Sequence, residues 1–475
     1  MDKSTLTTHQ KALQINLDSQ KYGTFAEIGG GQEVVRWFFK VGGAAGTVAK
    51  SISAYDMTVS DAIYGPTERY VCQERLSRML DHEYDLLIDR LEVKRGKNTQ
   101  FFVFADTVTI QGYQQRMDCH GWMGIRFQDN PMGKWNDVII HVRFLEQERL
   151  QQQETLGILG VNLIYGAFYY NQDLVLFIES LMDNIAPGKI EIDLIDTSGH
   201  LFEKIDLRLL NLQLLVSGLT PVILFTPNGK AVQPSDLLYK KAILIERGRF
   251  EPVTNLNMEM MEVARAKFLQ EPEIADAAKL EIMEITTRNL LTEMGTIDKE
   301  NFIQRIELLC ALKQHVLISN YAEFYEISTY LNRFTKNLIG LVLGIPLLQE
   351  LFNEKYYSYV EGGILEAMGR LFKKKIKLYV YPTFDPQTSK LITAENLEIK
   401  GPIKHIYNYL LESNHLIPLH PINPPLKSFS PKEVTEYIKS GDPRWKELVP
   451  IRVVEIIREK KYFGYKELEE ASSNH

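Results

Sequence analysis

From residue 280 onward the chain alternates short β-rich runs with amphipathic stretches, and this alternation limits the fold more than any other feature. The runs at 280–285, 315–318, 338–343 and 376–381 are separated by helix-patterned segments at 298–313, 321–333, 346–355 and 362–373. Apolar runs of that length without polar alternation belong to strands buried on both faces, and a crossover between parallel strands takes a helix. The expectation is an α/β fold, with a mostly parallel sheet covered by helices on both faces in the C-terminal half. A helix rich in Met and Glu at 257–269 comes before the first of these strands, and Asp298 stands where an N-cap belongs.

The N-terminal part reads as mixed α/β. Residues 1–95 look mainly helical, with Leu76, Met79, Leu80, Leu86, Leu87 and Leu91 at helical spacing. From residue 100 the period changes: 101–104, 123–127 and 138–142 are β-rich runs broken by turns such as Asp129-Asn130-Pro131, as in a meander or part of a mixed sheet. A helical pair at 147–185, a strand at 190–195, a helix near 201–217 and strands at 222–225 and 242–246 follow, with the first core closing near Pro252. Four regions result: a helical region 1–95, a mixed α/β domain 96–254, a parallel α/β domain 255–400, and a helical, Pro-rich region 401–475. The last has helices at 401–413, 431–439 and 450–460 around Pro418, Pro421, Pro424 and Pro425.

Charge and hydropathy narrow the partners. The 475 residues carry a formal net charge of -7, which argues against a general phosphate-backbone binder and so against nucleic acid. The longest apolar stretch, 156–170, is interrupted by Asn162 and falls short of the ~20 residues of a membrane span, so it reads as buried core. The opening segment has no apolar core of the length a secretory signal needs, and Cys72, Cys119 and Cys310 are far apart with no CxxC. Together these lead to the expectation of a cytoplasmic protein with reduced thiols. The basic run Lys373 to Lys377 reads as a solvated loop.

Several residues are candidates for chemistry. Ligands of parallel α/β sheets bind outside the carboxyl ends of the strands, which draws attention to Arg288 and Asn289 after the first strand and to Ser319 and Asn320 after the second. Arg288 suits a bidentate grip on phosphate or carboxylate, with Asn320 facing the same cleft. Gly362 and Gly363 open a helix whose free N–H groups favour an anion. Farther upstream, the glycine-rich stretch 42–46 leads to Lys50 and Ser51, which could contact phosphate oxygens or magnesium. Ala49 stands where a P-loop has glycine, and the preceding run is helical, so close helix packing is the competing reading. Gly29-Gly30-Gly31 marks a turn before that helix. No HExxH or HxH is present, and no metal site is expected. Cys119 and His120 are neighbours in a strand, point to opposite faces and do not form a nucleophile pair. Glu281, Glu284 and Asp298 are the candidate acid–base carboxylates, against a default of a charged rim.

Lys11-Ala12-Leu13-Gln14-Ile15-Asn16-Leu17-Asp18, Tyr22-Gly23-Thr24-Phe25-Ala26-Glu27-Ile28-Gly29, Gly160-Val161-Asn162-Leu163-Ile164-Tyr165 and Arg458-Glu459-Lys460-Lys461-Tyr462-Phe463 resemble a poorly characterised family of bacterial proteins of similar length. Its members are often labelled nicotinate-nucleotide adenylyltransferase or TonB-dependent receptor. The first label implies nucleotide chemistry, yet the HxGH-type and ISSTxxR-type motifs of adenylyl transfer are absent. The second implies an outer-membrane barrel, which the long helices contradict.

These readings converge on an enzyme or binding protein for a nucleotide or phosphorylated metabolite, with nucleotidyl transfer as the reaction and a nucleotide with magnesium as the cofactor. The alternative is a non-catalytic homo-oligomeric scaffold or interaction protein.

Overall fold

The computed structural model describes residues 5–113, 118–292, 294–373, 375–385, 388, 390–421 and 431–466. The chain divides into two compact units, Met1–Thr220 and Pro221–His475.

The first unit is built on a six-stranded sheet of β1 (Lys21–Ile28), β2 (Val48–Ile52), β3 (Gln100–Val108), β4 (His120–Gln128), β5 (Trp135–Phe144) and β6 (Ile190–Gly199), in the order β2-β1-β3-β4-β5-β6. Strands β2, β1 and β3 run parallel, and from β3 to β6 every pairing is antiparallel. One face carries Phe25, Phe102, Phe104, Met123 and Ile125 and is covered by the helices Thr8–Leu17, Glu33–Val41 and Arg149–Tyr169. Each fully buried phenylalanine here contributes about 1.5–3 kcal/mol of transfer free energy. The opposite face packs on the helix Gln73–Arg95: a Cβ on Gly124 would lie 3.1 Å from Leu76 and 3.2 Å from Leu80. The expected meander is present as β3 to β5, and the apolar stretch 156–170 falls in the largely buried helix Arg149–Tyr169 and its cap.

The expectation of a mainly helical region 1–95 is corrected by β1 and β2. β1 lies between two parallel neighbours and is buried on both faces, so its sequence KYGTFAEI shows no alternation. Its Gly23 is required because a side chain there would run into Phe102 of β3.

The second unit has an eight-stranded sheet of β7 (Val222–Phe225), β8 (Ala231–Val232), β9 (Ala242–Arg247), β10 (Lys279–Thr286), β11 (His315–Ser319), β12 (Ile339–Gly344) and β13 (Ile376–Tyr381). A ribbon of β14 (Thr383–Phe384) and β15 (Leu391–Ile392) stands apart, and β16 (Leu416–Pro418) completes the sheet. The order is β16-β13-β12-β9-β10-β11-β7-β8, with all pairings from β16 to β11 parallel. Counted from β9, the parallel strands stand in the doubly wound order 3-2-1-4-5-6. The helix Asn255–Phe268 covers the face of Leu244, Gly340 and Tyr379. The helices Phe324–Leu331, Ile345–Leu351, Gly363–Leu371 and Lys404–Glu412 cover the other, with Ile243, Ile245 and Leu341.

The four strands expected after residue 280 thus share one parallel sheet with helices on both faces. The boundary lies at 220/221 rather than 254/255, because β7 and β9 join this sheet and β9 is its centre. The 401–475 region, expected to be helical, also supplies β16. Pro424, Pro425 and Lys374 lie outside the described residues.

Candidate functional site

In a doubly wound sheet the helices leaving neighbouring strands go to opposite faces where the strand order reverses, and a crevice opens at the carboxyl ends. Here the reversal falls between β9 and β12. A cleft of about 450 Å³ lies at these strand ends, lined by residues that follow β9 (Arg247, Arg249), β10 (Arg288, Asn289), β11 (Glu323, Phe324) and β12 (Leu347, Leu351), with Tyr356 and Tyr357 on a further wall.

Its floor is locked by ion pairs. Alternation along β9 turns Arg247 to the face of Ile243 and Ile245, and on β10 the same face carries Glu284. The guanidinium grips Glu284 through two bonds of 2.9 and 2.8 Å, donates 2.7 Å to the Ala322 carbonyl and lies 4.4 Å over the Phe324 ring. Ser319 Oγ donates 2.7 Å to the same carboxylate. One bidentate pair therefore ties together the ends of three strands.

Arg305, almost fully buried on the helix Lys299–Ala311, fastens the neighbouring loops. It pairs with Glu251 at 2.8 Å and donates to the carbonyls of Arg249 and Asn289 at 3.0 and 2.8 Å. Burial depresses its pKa to about 10, with Glu251 opposing the shift. Sequence reasoning passed over Arg305; its only signal was a lone arginine on the apolar stripe of an amphipathic helix.

Arg288, in the short 3₁₀ turn Thr287–Leu290, is exposed at the cleft and has no hydrogen bond or ion pair among the described residues. Its charge opposes the burial that pushes the Glu323 carboxyl upward. Asn320 does not line the cleft. Its Oδ1 accepts 3.0 Å from Thr287 Oγ1, which braces the turn that carries Arg288. Ser319 is buried beneath the floor.

The other sequence candidates lie elsewhere. The helix start at Gly362 and Gly363 is already filled, since Gly362 N donates 2.8 Å to Glu366. In the first unit, Lys50 and Ser51 are in β2, after a helix and a 3₁₀ turn, and not in a loop that opens a helix as a P-loop would require. Lys50 pairs with Glu83, a buried carboxylate that also accepts 2.9 Å from Tyr64. Glu281 pairs with Arg265, and Asp298 caps its helix at 2.9 Å from Asn301 N, as expected. Among the described residues no group of three His, Cys, Asp or Glu side chains is placed to hold a metal ion.

No family model matches the chain, and no curated protein matches it. Among solved structures, 22 chains show similarity. They include a competence/damage inducible protein from Agrobacterium tumefaciens (13% identity, 34% of this chain and 97% of that chain, TM-score 0.25). CinA superfamily proteins from Enterobacter cloacae (12%, 35% and 95%, 0.26) and Escherichia coli (14%, 33% and 84%, 0.23) are similar to the same degree. Likenesses this slight carry no inference about fold or function.

Proposed function

We propose that the second unit binds a nucleotide or other phosphorylated metabolite in the cleft at the ends of β9 to β12, as a cytoplasmic enzyme or binding protein. The observation that carries this reading is Arg288: an exposed guanidinium with no hydrogen bond or ion pair among the described residues, held on a braced turn at the mouth of a cleft where the strand order reverses. The loops around it are fixed by Arg247 and Arg305, so an anion meets a preformed donor rather than one that must be ordered first. The apolar wall of Phe324, Leu347, Leu351 and Tyr357 suits the base or carbon skeleton of such a ligand. Magnesium, if it accompanies the phosphates, would find Glu323 and Glu350 as the cleft carboxylates, since this ion commonly takes one or two carboxylates together with phosphate oxygens. Nucleotidyl transfer is the reaction class proposed for that arrangement. Three free cysteines are compatible with a reducing compartment.

One departure limits the ligand's pose. The turn after β9 is not glycine-rich, and the helix it leads into is capped by its own Thr254 and Asn257. A pyrophosphate is therefore not expected at that helix start, and the anion belongs at Arg288 instead.

A thermal-shift screen with nucleotides, pyridine-nucleotide precursors and sugar phosphates tests the proposal. A specific ligand raises the melting temperature by mass action, and Arg288→Ala removes the rise. No response to any phosphorylated compound sinks the reading in favour of the scaffold alternative.

A further inference from the structure

The first unit holds a chain of hydrogen bonds that the cleft in the second unit does not use. Asp193 Oδ1 lies 2.6 Å from His141 Nδ1, and His141 Nε2 lies 3.1 Å from His120 Nδ1. Asp193 and His141 are fully buried, while His120 is half-buried at the start of β4. With both rings neutral, the geometry assigns both tautomers. A carboxylate can only accept, so His141 carries its proton on Nδ1 and its Nε2 is a lone pair. That lone pair accepts from His120 Nδ1, which leaves His120 Nε2 bare.

The backbone is shaped for this contact. β5 and β6 pair in register until a bulge at which His141 faces Leu194 while Val142 faces Ile192, so Asp193 is the extra residue. A bulge of this kind re-aims a side chain, and here it delivers the carboxylate to the imidazole. The Trp122 ring packs at 4.9 Å against His141 and fixes its orientation. Among the described residues the buried Asp193 Oδ2 has no hydrogen-bond partner, so His141 is the donor this carboxylate meets.

We propose that Asp193, His141 and His120 form a proton relay in which His120 Nε2 is a general base for a neutral oxygen acid, water or an alcohol, at a second reactive site. The proton taken from the donor binds His120 Nε2, and the proton on His120 Nδ1 passes to His141 Nε2. His120 is then neutral again, and the positive charge rests on His141 against the Asp193 carboxylate. Burial holds the pKa of His120 down to about 4, and a positive charge on His141 opposes one on His120. Charge is thereby kept off His120. Besides these two histidines and Asp193, the charged groups acting on His120 are Asp118 and Arg143, which pair with each other at 2.8 Å. His141 and Asp193 are positioning residues, and His120 is the group that would touch the substrate.

Two measurements test the relay. In the wild-type protein labelled with ¹⁵N-histidine, His120 is expected as the neutral tautomer protonated on Nδ1 at pH 7. His120 protonated on Nε2 overturns the proposal without any variant. The second measurement is hydrolysis of p-nitrophenyl acetate, in which water loses a proton to His120, attacks the carbonyl and expels p-nitrophenolate. His120→Ala is expected to abolish the protein-dependent rate. Asp193→Asn, with folding checked by its melting curve, should lower that rate by about tenfold or more and displace its pH profile. Absence of protein-dependent hydrolysis in the wild type, or a folded Asp193→Asn protein with the wild-type rate and profile, would make the chain a purely structural contact.

Discussion

At the carboxyl ends of β1 and β3 the chain turns carboxylates inward, whereas in the turns that follow β9 and β10 it leaves Arg249 and Arg288 exposed. Glu27 and Asp106 are partners in parallel register, both fully buried. Glu27 accepts from Val34 N and Val35 N at 2.9 and 3.0 Å and so occupies the start of the helix Glu33–Val41. The Gly29-Gly30-Gly31 turn packs against Val108 and Leu156. In the second unit the reversal between β9 and β12 separates the helices and keeps a cleft. The order β2-β1-β3 also reverses, between β1 and β3, with the crossover helices Glu33–Val41 and Gln73–Arg95 on opposite faces. The comparison therefore teaches that a reversal is an opportunity for a site and that the residues at the strand ends decide whether it is filled.

The largest effect should come from closing that turn further. Gly29 has φ +99° and a Cβ there would lie 1.8 Å from the Val108 carbonyl oxygen, so Gly29→Ala should destabilise the first unit by more than about 3 kcal/mol. Denaturant unfolding followed at Trp37, Trp122 and Trp135 measures it; a loss under 1 kcal/mol would mean that the turn is loose and the contrast between the units is false. Next is Arg247→Ala, which strands the buried Glu284 and should cost the second unit about 3–5 kcal/mol, read at Trp445. An effect confined to ligand binding would show the floor to be less rigid than described.

The pH dependence sharpens the same contrast. Burial raises the pKa of Glu27 to about 7, and burial followed by the Glu27 charge raises that of Asp106. A carboxyl whose folded pKa exceeds its unfolded value stabilises the fold fully below the unfolded pKa, near 4.5, and loses that contribution as pH rises through the folded pKa. The first unit should therefore weaken between about pH 5 and 8, and Glu27→Gln should flatten the profile. Glu246 of the second unit, raised to about 8 by burial, predicts a decline displaced to higher pH. Hydrogen exchange resolved by unit distinguishes the two declines, and superimposed curves would refute the assignment.

The smallest effect on stability is expected at Arg288. Arg288→Ala should weaken binding of a phosphorylated ligand by about 1.5–3 kcal/mol, the contribution of a charge-assisted hydrogen bond, and change unfolding by under about 1 kcal/mol. A large loss of stability with unaltered binding would make it a structural residue.

Local pattern reached far into the second unit. The runs 280–285, 315–318, 338–343 and 376–381 are long enough, apolar enough and regularly enough spaced by helices that parallel pairing was the one economical arrangement, and Asp298 was legible as a cap because capping is a contact within one turn. Arg288 and Asn289 were legible as cleft residues for a similar reason, since their place follows from the strand they end. Asn320 shows the limit: strand-end position was right, but only the fold could say that its side chain turns to Thr287 rather than to the cleft.

Composition and periodicity by themselves determined that this chain forms an α/β protein with a parallel sheet, and which short segments build its strands β10 to β13, because those properties rest on residues within a few positions of one another. Tertiary structure alone decided that β9 is the centre of that sheet, that β1 is a strand, that Lys50 faces Glu83, that Arg305 holds two loops, and that a bulge brings Asp193 to His141. Each of these depends on pairings between residues far apart in the chain, and local preference carries no information about which distant partner a strand or a charge will meet.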